Sequence, residues 1–442
     1  MVRPLQGPLT VPLVTLKQDL NAIVRAGVDA VSAARVVDRA LADPALAAVL
    51  TSRRLHIVAV GKAAAPMAAA FMAVPHVSVE QAVAIGTHAD GPLPDGLEWI
   101  ESSHPFPDLR SETAGRRALA VAQSVHSGEV LVILLSGGAS ALMASPVAGI
   151  SLDDKVSTTR LMMNAGADIH ALNTVRRHLS NVKGGRLAAA CVGTTITLAL
   201  SDVVGDDLNA IGSGPGVADA TTWSDASAAL ARFGGRAHLE SVQVVMKRGV
   251  AGELPDTPKA GHPSLARASA KVIGGRMDAI AGARAAAEAR GYAVQTIDEP
   301  IVGEAKDAGP AWLQRVRELT RTASMPVCVI SGGETTVRVT GSGQGGRNLE
   351  FLLSIAGALA GQGAIAAASI GTDGIDGSSG VAGAVVDSTT VARAAAARLD
   401  PPGHYFATNN SLAFFAPLDD VIRLGRTHTN VGDLQVIVIH EP

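Results

Sequence analysis

Short apolar runs, each ending in a Gly- or Ser-rich turn that opens a helical pattern, recur along this chain and constrain its fold more than any other feature. His56–Val60 runs into Gly61-Lys62-Ala63-Ala64-Ala65-Pro66-Met67, and Val130–Leu135 into Ser136-Gly137-Gly138-Ala139-Ser140. Thr195–Leu200 ends in Ser201-Asp202, Val327–Ile330 in Ser331–Glu334, and Ala364–Ile370 in Gly371–Asp376. Runs without polar alternation suit strands buried on both faces, and strands alternating with helices build α/β layers with largely parallel sheets. Thr335–Thr340 follows Val327–Ile330 closely enough to predict a hairpin, and so a mixed sheet in the second half.

At 442 residues the chain exceeds one ordinary core, so two domains are expected. Residues 15–48 read as helix. Between 237 and 269 the pattern weakens around Pro255, Pro258 and Pro263, which sets domains of 1–250 and 265–442. Lys271–Ile273 then reads as the first strand of the second domain. Aromatic residues make up only 3% of the chain, so the core must be Ala, Val, Leu and Ile. A net charge of −3 with no basic block excludes nucleic acid and anionic membrane as expected partners. The two cysteines, Cys191 and Cys328, sit in apolar surroundings and read as buried thiols. No apolar run approaches the roughly 18 residues of a membrane span. The first fourteen residues lack a signal-peptide core, so a cytoplasmic address is expected.

Polar residues collect just past the apolar runs, where the carboxyl ends of parallel strands line a ligand crevice. Lys62 follows a buried strand directly and suits phosphate binding or charge stabilisation. Ser136, Gly137, Gly138, Ala139 and Ser140 offer successive amides and two hydroxyls, a nest for phosphate oxygens. Asp202 could take a hydroxyl proton or hold Mg²⁺, an N-cap being an equal reading; Asp373 and Asp376 share that ambiguity. His104, between serines and a proline, reads as a loop residue. Arg176, Arg177 and Lys183 fit either a solvated basic face or attraction of an acidic substrate.

Residues 331–350, SGGETTVRVTGSGQGGRNLE, concentrate these signals. Gly341, Gly343, Gly345 and Gly346 fall within six residues, and Arg347 and Asn348 follow at a helix start. Such a turn lets backbone approach a ligand, and a helix start offers open amides to an anion. Gly341, Gly343 and Gly346 also satisfy the G-x-G-x-x-G dinucleotide fingerprint, but no acidic residue follows at about 20 residues to bind a ribose. No Walker-type P-loop is present.

The stretches VAVGKAAAPM, SSHPFPD, LLSGGASAL, LNTVRRHLSNVKGGRLA, LALSDVVGDDLNAIGSGP, ISGGETTVRVTGSGQGGRNLE, IGTDGIDG and HTNVGDLQV follow one another from residue 56 to the C-terminus. In kind and order they resemble the glycerate 2-kinase family, whose C-terminal half is called the MOFRL domain and many of whose members are labelled hydroxypyruvate reductase. The resemblance implies a Rossmann-like N-terminal domain with a mainly parallel sheet, a smaller C-terminal α/β domain with a mixed sheet, and an active site in the cleft between them. It implies ATP-dependent phosphorylation of the 2-hydroxyl of D-glycerate with Mg²⁺. It points to Lys62 and Arg347 as the catalytic pair. The chain has Gly137-Gly138-Ala139 where the family has three glycines, and Gly425–Asn430 reads GRTHTN where a second glycine is usual.

On this reading Lys62, Arg347 and the 136–140 turn, with Gly343, Gly345 and Gly346, receive the phosphates. Asp202 orients or deprotonates the hydroxyl, and Asn173, Arg176, Lys183, Asp373 and Asn430 are candidates for the small hydroxy acid. Asp202 or Asp373 would hold the magnesium, and a homodimer is among the expected assemblies. The alternatives are an NAD(P)H-dependent hydroxypyruvate reductase, with His104 or His428 as acid, and a non-catalytic sugar-acid sensor.

Overall fold

The computed structural model describes residues 12–89 and 91–441. The segment read for a signal peptide therefore lies largely outside the described residues. By contacts the chain divides into two units, one of residues 33–274 and one that joins the residues up to Ser32 to those from Gly275 onward.

In the first unit six strands form one parallel sheet: β1 (Arg54–Val60), β2 (Ser78–Gly86), β3 (Leu97–Glu101), β4 (Val130–Leu135), β5 (Thr194–Leu200) and β6 (Ala268–Gly274). Their order is β3-β2-β1-β4-β5-β6, the doubly wound arrangement in which the strand sequence reverses direction between β1 and β4. Every residue of β4 is buried, as is all of β1 beyond Arg54, which is why these strands read as unbroken apolar runs. β6 contains Lys271–Ile273, expected to open the second domain; it pairs instead with β5 as the edge of this sheet. Half-buried and exposed residues alternate over Ala268–Val272 of β6, as suits an edge position, before the strand ends in buried Ile273 and Gly274.

The second unit holds β7 (Ala293–Glu304), β8 (Val327–Thr336), β9 (Ala364–Gly371), β10 (Gly383–Asp387), β11 (Val421–Ile422) and β12 (Asp433–Glu441), in the order β11-β10-β9-β12-β8-β7. Only β7 and β8 run parallel, so the sheet is mixed as expected, but not through the expected hairpin. Residues 327–336 form one strand, whose far half stays in register with β7 as Gly333–Thr336 meet Ile301–Glu304. One face carries Trp312, Leu313, Phe351 and Leu352 from helices Ala305–Thr320 and Arg347–Leu359.

The other face takes the helix Leu13–Ala30, whose Leu16, Leu20, Ile23 and Val24 pack with Ile280, Ile330 and Val436. Lys17 secures it to the buried carboxylates of Asp387 and Asp420, at 2.9 and 2.7 Å. This helix, placed with the N-terminal domain by chain order, thus belongs to the C-terminal unit. The stretch read as one helix over 15–48 is broken at two points and continues as Ala33–Leu41 and Pro44–Ser52. Asp43 caps the last of these through the amides of Ala45 and Leu46, with Pro44 at the first helical position. Cys191 and Cys328 are free and buried. Among the described residues no helix is long and apolar enough to cross a membrane.

Candidate active site

In the first unit the site grows from the β1/β4 switch point. Gly61 ends β1 with φ +131°, and a Cβ there would lie 2.1 Å from Ser136 Oγ, so only glycine lets the two turns meet. They are then locked together: the Lys62 amide donates to the Gly137 carbonyl at 2.9 Å, and the Ala63 amide to Ser136 Oγ at 3.0 Å. Ser136 is fully buried and structural, whereas Lys62 is exposed. Gly138 turns the chain at φ +86°. Among the described residues, the amides of Gly137, Gly138 and Ser140 donate to no protein acceptor.

Behind the turn runs a buried chain of hydrogen bonds. Lys183 Nζ donates to the Ser140 carbonyl at 2.8 Å and also reaches Ser140 Oγ and the Gly212 carbonyl. Ser140 Oγ meets Ser213 Oγ at 2.9 Å, and Ser213 Oγ donates to Asn173 Oδ1 at 3.1 Å. Lys183 and Asn173, candidates for substrate contact, are therefore buried supports of the turn. Burial holds the Lys183 ammonium pKa well below its ordinary value, with Lys155 and Arg176 adding like charge. The paired arginines diverge. Arg177 is bound to Asp219 at 2.7 Å, while half-buried Arg176 makes no hydrogen bond or ion pair with a described residue. Asp202 follows Ser201 at the carboxyl end of β5.

One residue read as a loop histidine joins the site. The His104 ring lies against Gly138, 3.1 Å from where a Cβ would stand. Burial, and then the charge of Lys62, lowers its imidazole pKa, so the ring is neutral at neutral pH. Its neighbour Phe106 sits under the Arg160 guanidinium, 4.5 Å from ring centre to Cζ. The sequence signal was the SSHPFPD loop itself, since a histidine on a proline-stiffened turn past a strand end is well placed for a ligand crevice.

In the second unit the antiparallel run of β12 brings its first residue to the carboxyl ends of its neighbours. Asp433 stands opposite both Gly333 of β8 and Gly371 of β9. Arg347, at the start of helix Arg347–Leu359, donates from Nε to Asp433 at 2.8 Å and from Nη1 to Glu334 at 3.2 Å. Burial pulls the guanidinium pKa down, but Asp433 and Glu334 outweigh it, and Arg347 stays charged. Asn348 bridges Asp433 and Asp376 through Nδ2, at 2.9 and 3.2 Å. In the sequence Asp433 stands only within the HTNVGDLQV stretch; a carboxylate just ahead of the apolar run Val436–Ile439 was the available signal.

The expected open anion loop is not open. The amides of Thr340, Gly341, Gly343, Gln344 and Gly345 all donate within the unit, to Asn409, Thr408, Asn410 and Ser378. The helix start is likewise taken. Asp376 accepts from the amides of Asn348 and Leu349 at 3.1 and 3.0 Å, and a Cβ on Gly346 would stand 2.3 Å from its carboxyl carbon. Gly343, Gly345 and Gly346 thus admit protein neighbours. Asp376 thus caps this helix start from a distant segment, and burial pushes its carboxyl pKa up to about 6 despite those amides. Asp373 accepts from the Ile375 amide at 3.2 Å. Asn430 is buried just before β12, its Oδ1 accepting from the Gly432 amide at 3.4 Å.

Residues 19–247 match a family described as a domain of unknown function, DUF4147, and residues 327–433 match the MOFRL family. A glycerate 2-kinase of Pyrococcus horikoshii is 36% identical to this chain over 87% of each. The chain belongs to the glycerate 2-kinase family. A crystal structure of the glycerate kinase of Thermotoga maritima superposes with a TM-score of 0.86 at 35% identity, covering 96% of this chain and all of that one. A protein of Agrobacterium vitis with a provisional hydroxypyruvate reductase name is 38% identical over 92% of this chain and 93% of its own length. The resemblance drawn from the ordered motifs is therefore correct, as are the two α/β units with one parallel and one mixed sheet.

Among the described residues no three His, Cys, Asp or Glu side chains cluster as a metal site. Asp202 and Asp373 are single carboxylates at strand ends. Such hard oxygen donors fit Mg²⁺, which is commonly held by one or two carboxylates together with substrate phosphates.

Proposed function

We propose that this chain is an ATP-dependent kinase that transfers a phosphoryl group to the 2-hydroxyl of D-glycerate, giving 2-phosphoglycerate. The observation that carries the reading is the exposed Lys62 beside a left-handed turn with three unpartnered amides, at the switch point of a doubly wound sheet. The names of the Pyrococcus and Thermotoga relatives support it. Phosphoryl transfer needs positioning and charge stabilisation more than covalent chemistry. The 136–140 turn holds phosphate oxygens, and Lys62 neutralises charge on the transferred group. Arg347, aimed by Asp433 and Glu334, presents a charged guanidinium of the kind that pairs with phosphate. Asp202 orients the attacking hydroxyl and accepts its proton. Magnesium, when bound by Asp202 or Asp373, would screen the phosphate oxygens. A cytoplasmic location belongs to the same reading.

The reductase reading loses its main support, because the amides of Gly341, Gly343 and Gly345 in the fingerprint stretch are already engaged within the protein. Incubation with D-glycerate, ATP and Mg²⁺ should release ADP, and the Lys62→Ala protein should lose about a hundred- to a thousandfold in kcat with an unchanged circular dichroism spectrum. NADH oxidation on hydroxypyruvate, with no ADP from any hydroxy acid, would overturn the assignment.

A further inference from the structure

Helix Leu152–Asn164 turns four residues inward at helical spacing: Leu152, Lys155, Thr158 and Met162. Two of them are polar. Lys155 is 5% exposed and Thr158 2% exposed, and among the described residues neither Lys155 Nζ nor Thr158 Oγ1 has a hydrogen-bond partner. An ammonium removed from water without a counter-charge is strongly unfavourable, so a stable fold keeps one only for a reason. The charges that act on Lys155 are those of Arg176 and Arg186, both of its own sign. The acids that act on Arg186 are engaged elsewhere: Asp219 with Arg177 and Thr257, Asp256 with His178 and Lys259.

The position of these groups says where an anion would lie. Arg160, on the same helix, covers Phe106 of the loop that sets His104 against Gly138. Helix Ile169–His178, packed against this one, carries Arg176 one turn after Asn173, and Asn173 is linked through Ser213 to Ser140. The cluster therefore borders the 136–140 turn. We infer that Lys155, Thr158 and Arg176 form a buried oxyanion subsite beside that turn, taking either the carboxylate of the hydroxy acid or a phosphate group. The placement rests on the kinase reading above, although the capacity to bind an anion does not. The subsite also accounts for the lowered Lys155 pKa, about 7 without ligand, since a bound anion would restore its charge.

Titration calorimetry on the full chain, with D-glycerate, ATP and inorganic phosphate as separate probes, tests this. Lys155→Met should fold, with an apparent Tm equal to or above that of the parent, because it removes an uncompensated buried charge. It should weaken one probe by about tenfold or more, since charge-assisted hydrogen bonds are lost. A loss confined to D-glycerate assigns the carboxylate, and a loss confined to ATP and phosphate assigns a phosphate group. Should Lys155→Met fail to fold, Thr158→Val, nearly equal in shape, should weaken the same probe severalfold and decides the question. Unchanged affinity for all three probes, or no binding of any probe by the parent protein, overturns the subsite. Absence of ADP production alongside anion binding that is lost in the variant would sink the kinase reading and leave the subsite standing.

Discussion

Two glycine-rich turns in this chain look alike as text and are opposite as structure. At 136–140, Gly138 adopts a left-handed conformation, and three amides find no acceptor among the described residues. At 341–346 four of six residues are glycine, yet none of the four has a positive φ, and the amides of Gly341, Gly343, Gln344 and Gly345 are hydrogen-bonded to residues 408–410 and Ser378. Glycine density reports that something comes close to the backbone. In the first turn the open amides leave room for a ligand; in the second the close neighbour is the protein's own carboxylate and chain. Arg347, which follows the second turn, is held by Asp433 and Glu334.

That contrast can be broken in several ways. Arg347→Ala should have the largest effect on the folded state, about 3 kcal/mol by denaturant unfolding, because it strips the main counter-charge from the buried Asp433. It should also lower kcat, and Arg347→Lys should restore neither, since one ammonium cannot reproduce the two directed contacts. Unaltered stability of Arg347→Ala would mean that Asp433 does not depend on it. Gly346→Ala should cost about 2–3 kcal/mol, as the new methyl would overlap the Asp376 carboxyl. Calorimetry showing an unshifted transition would contradict the packing role given to this turn.

Asp376 provides a pH test. Its folded pKa, about 6, lies above the unfolded value, so its contribution is fully present below pH 4 and is lost as pH rises through 6. Parent stability relative to Asp376→Asn should therefore fall by about 2–3 kcal/mol between pH 4 and 7; a constant difference would remove the assignment of a raised pKa. The smallest effect on stability is expected from Gly138→Ala, about 1 kcal/mol for a left-handed alanine. Here the informative readout is ATP affinity, which should drop as the methyl presses on His104 at 3.1 Å and disturbs the nest. If Gly138→Ala lost more stability than Gly346→Ala, and only Gly346→Ala lost ATP affinity, the two turns would have to exchange roles.

The parallel sheet was legible because β1 and β4 are buried on both faces and so are written almost without polar residues. Lys62 and the 136–140 turn were legible for a related reason: a charge or a glycine pair straight after such a run has nowhere to be but the sheet's carboxyl edge. The hairpin was misread because β-branched Thr335 and Thr336 continue a strand as readily as they begin one, and the choice was made by pairing with Ile301–Glu304, some thirty residues earlier. Lys155 gave no signal at all. Within a helix a lysine is ordinarily solvated, and only packing shows that this one faces inward with no partner.

The sequence by itself determined the alternation of strands and helices, the family, and the list of residues able to handle anions, because these follow from local periodicity and residue chemistry. Tertiary structure alone decided that Leu13–Ala30 packs with the distant C-terminal strands, and that Asp433 aims Arg347. It also decided which glycine turn keeps its amides open. Each of these depends on which distant segment satisfies a buried apolar face or a hydrogen-bonding group, a choice made by the whole fold and written in no short stretch of it.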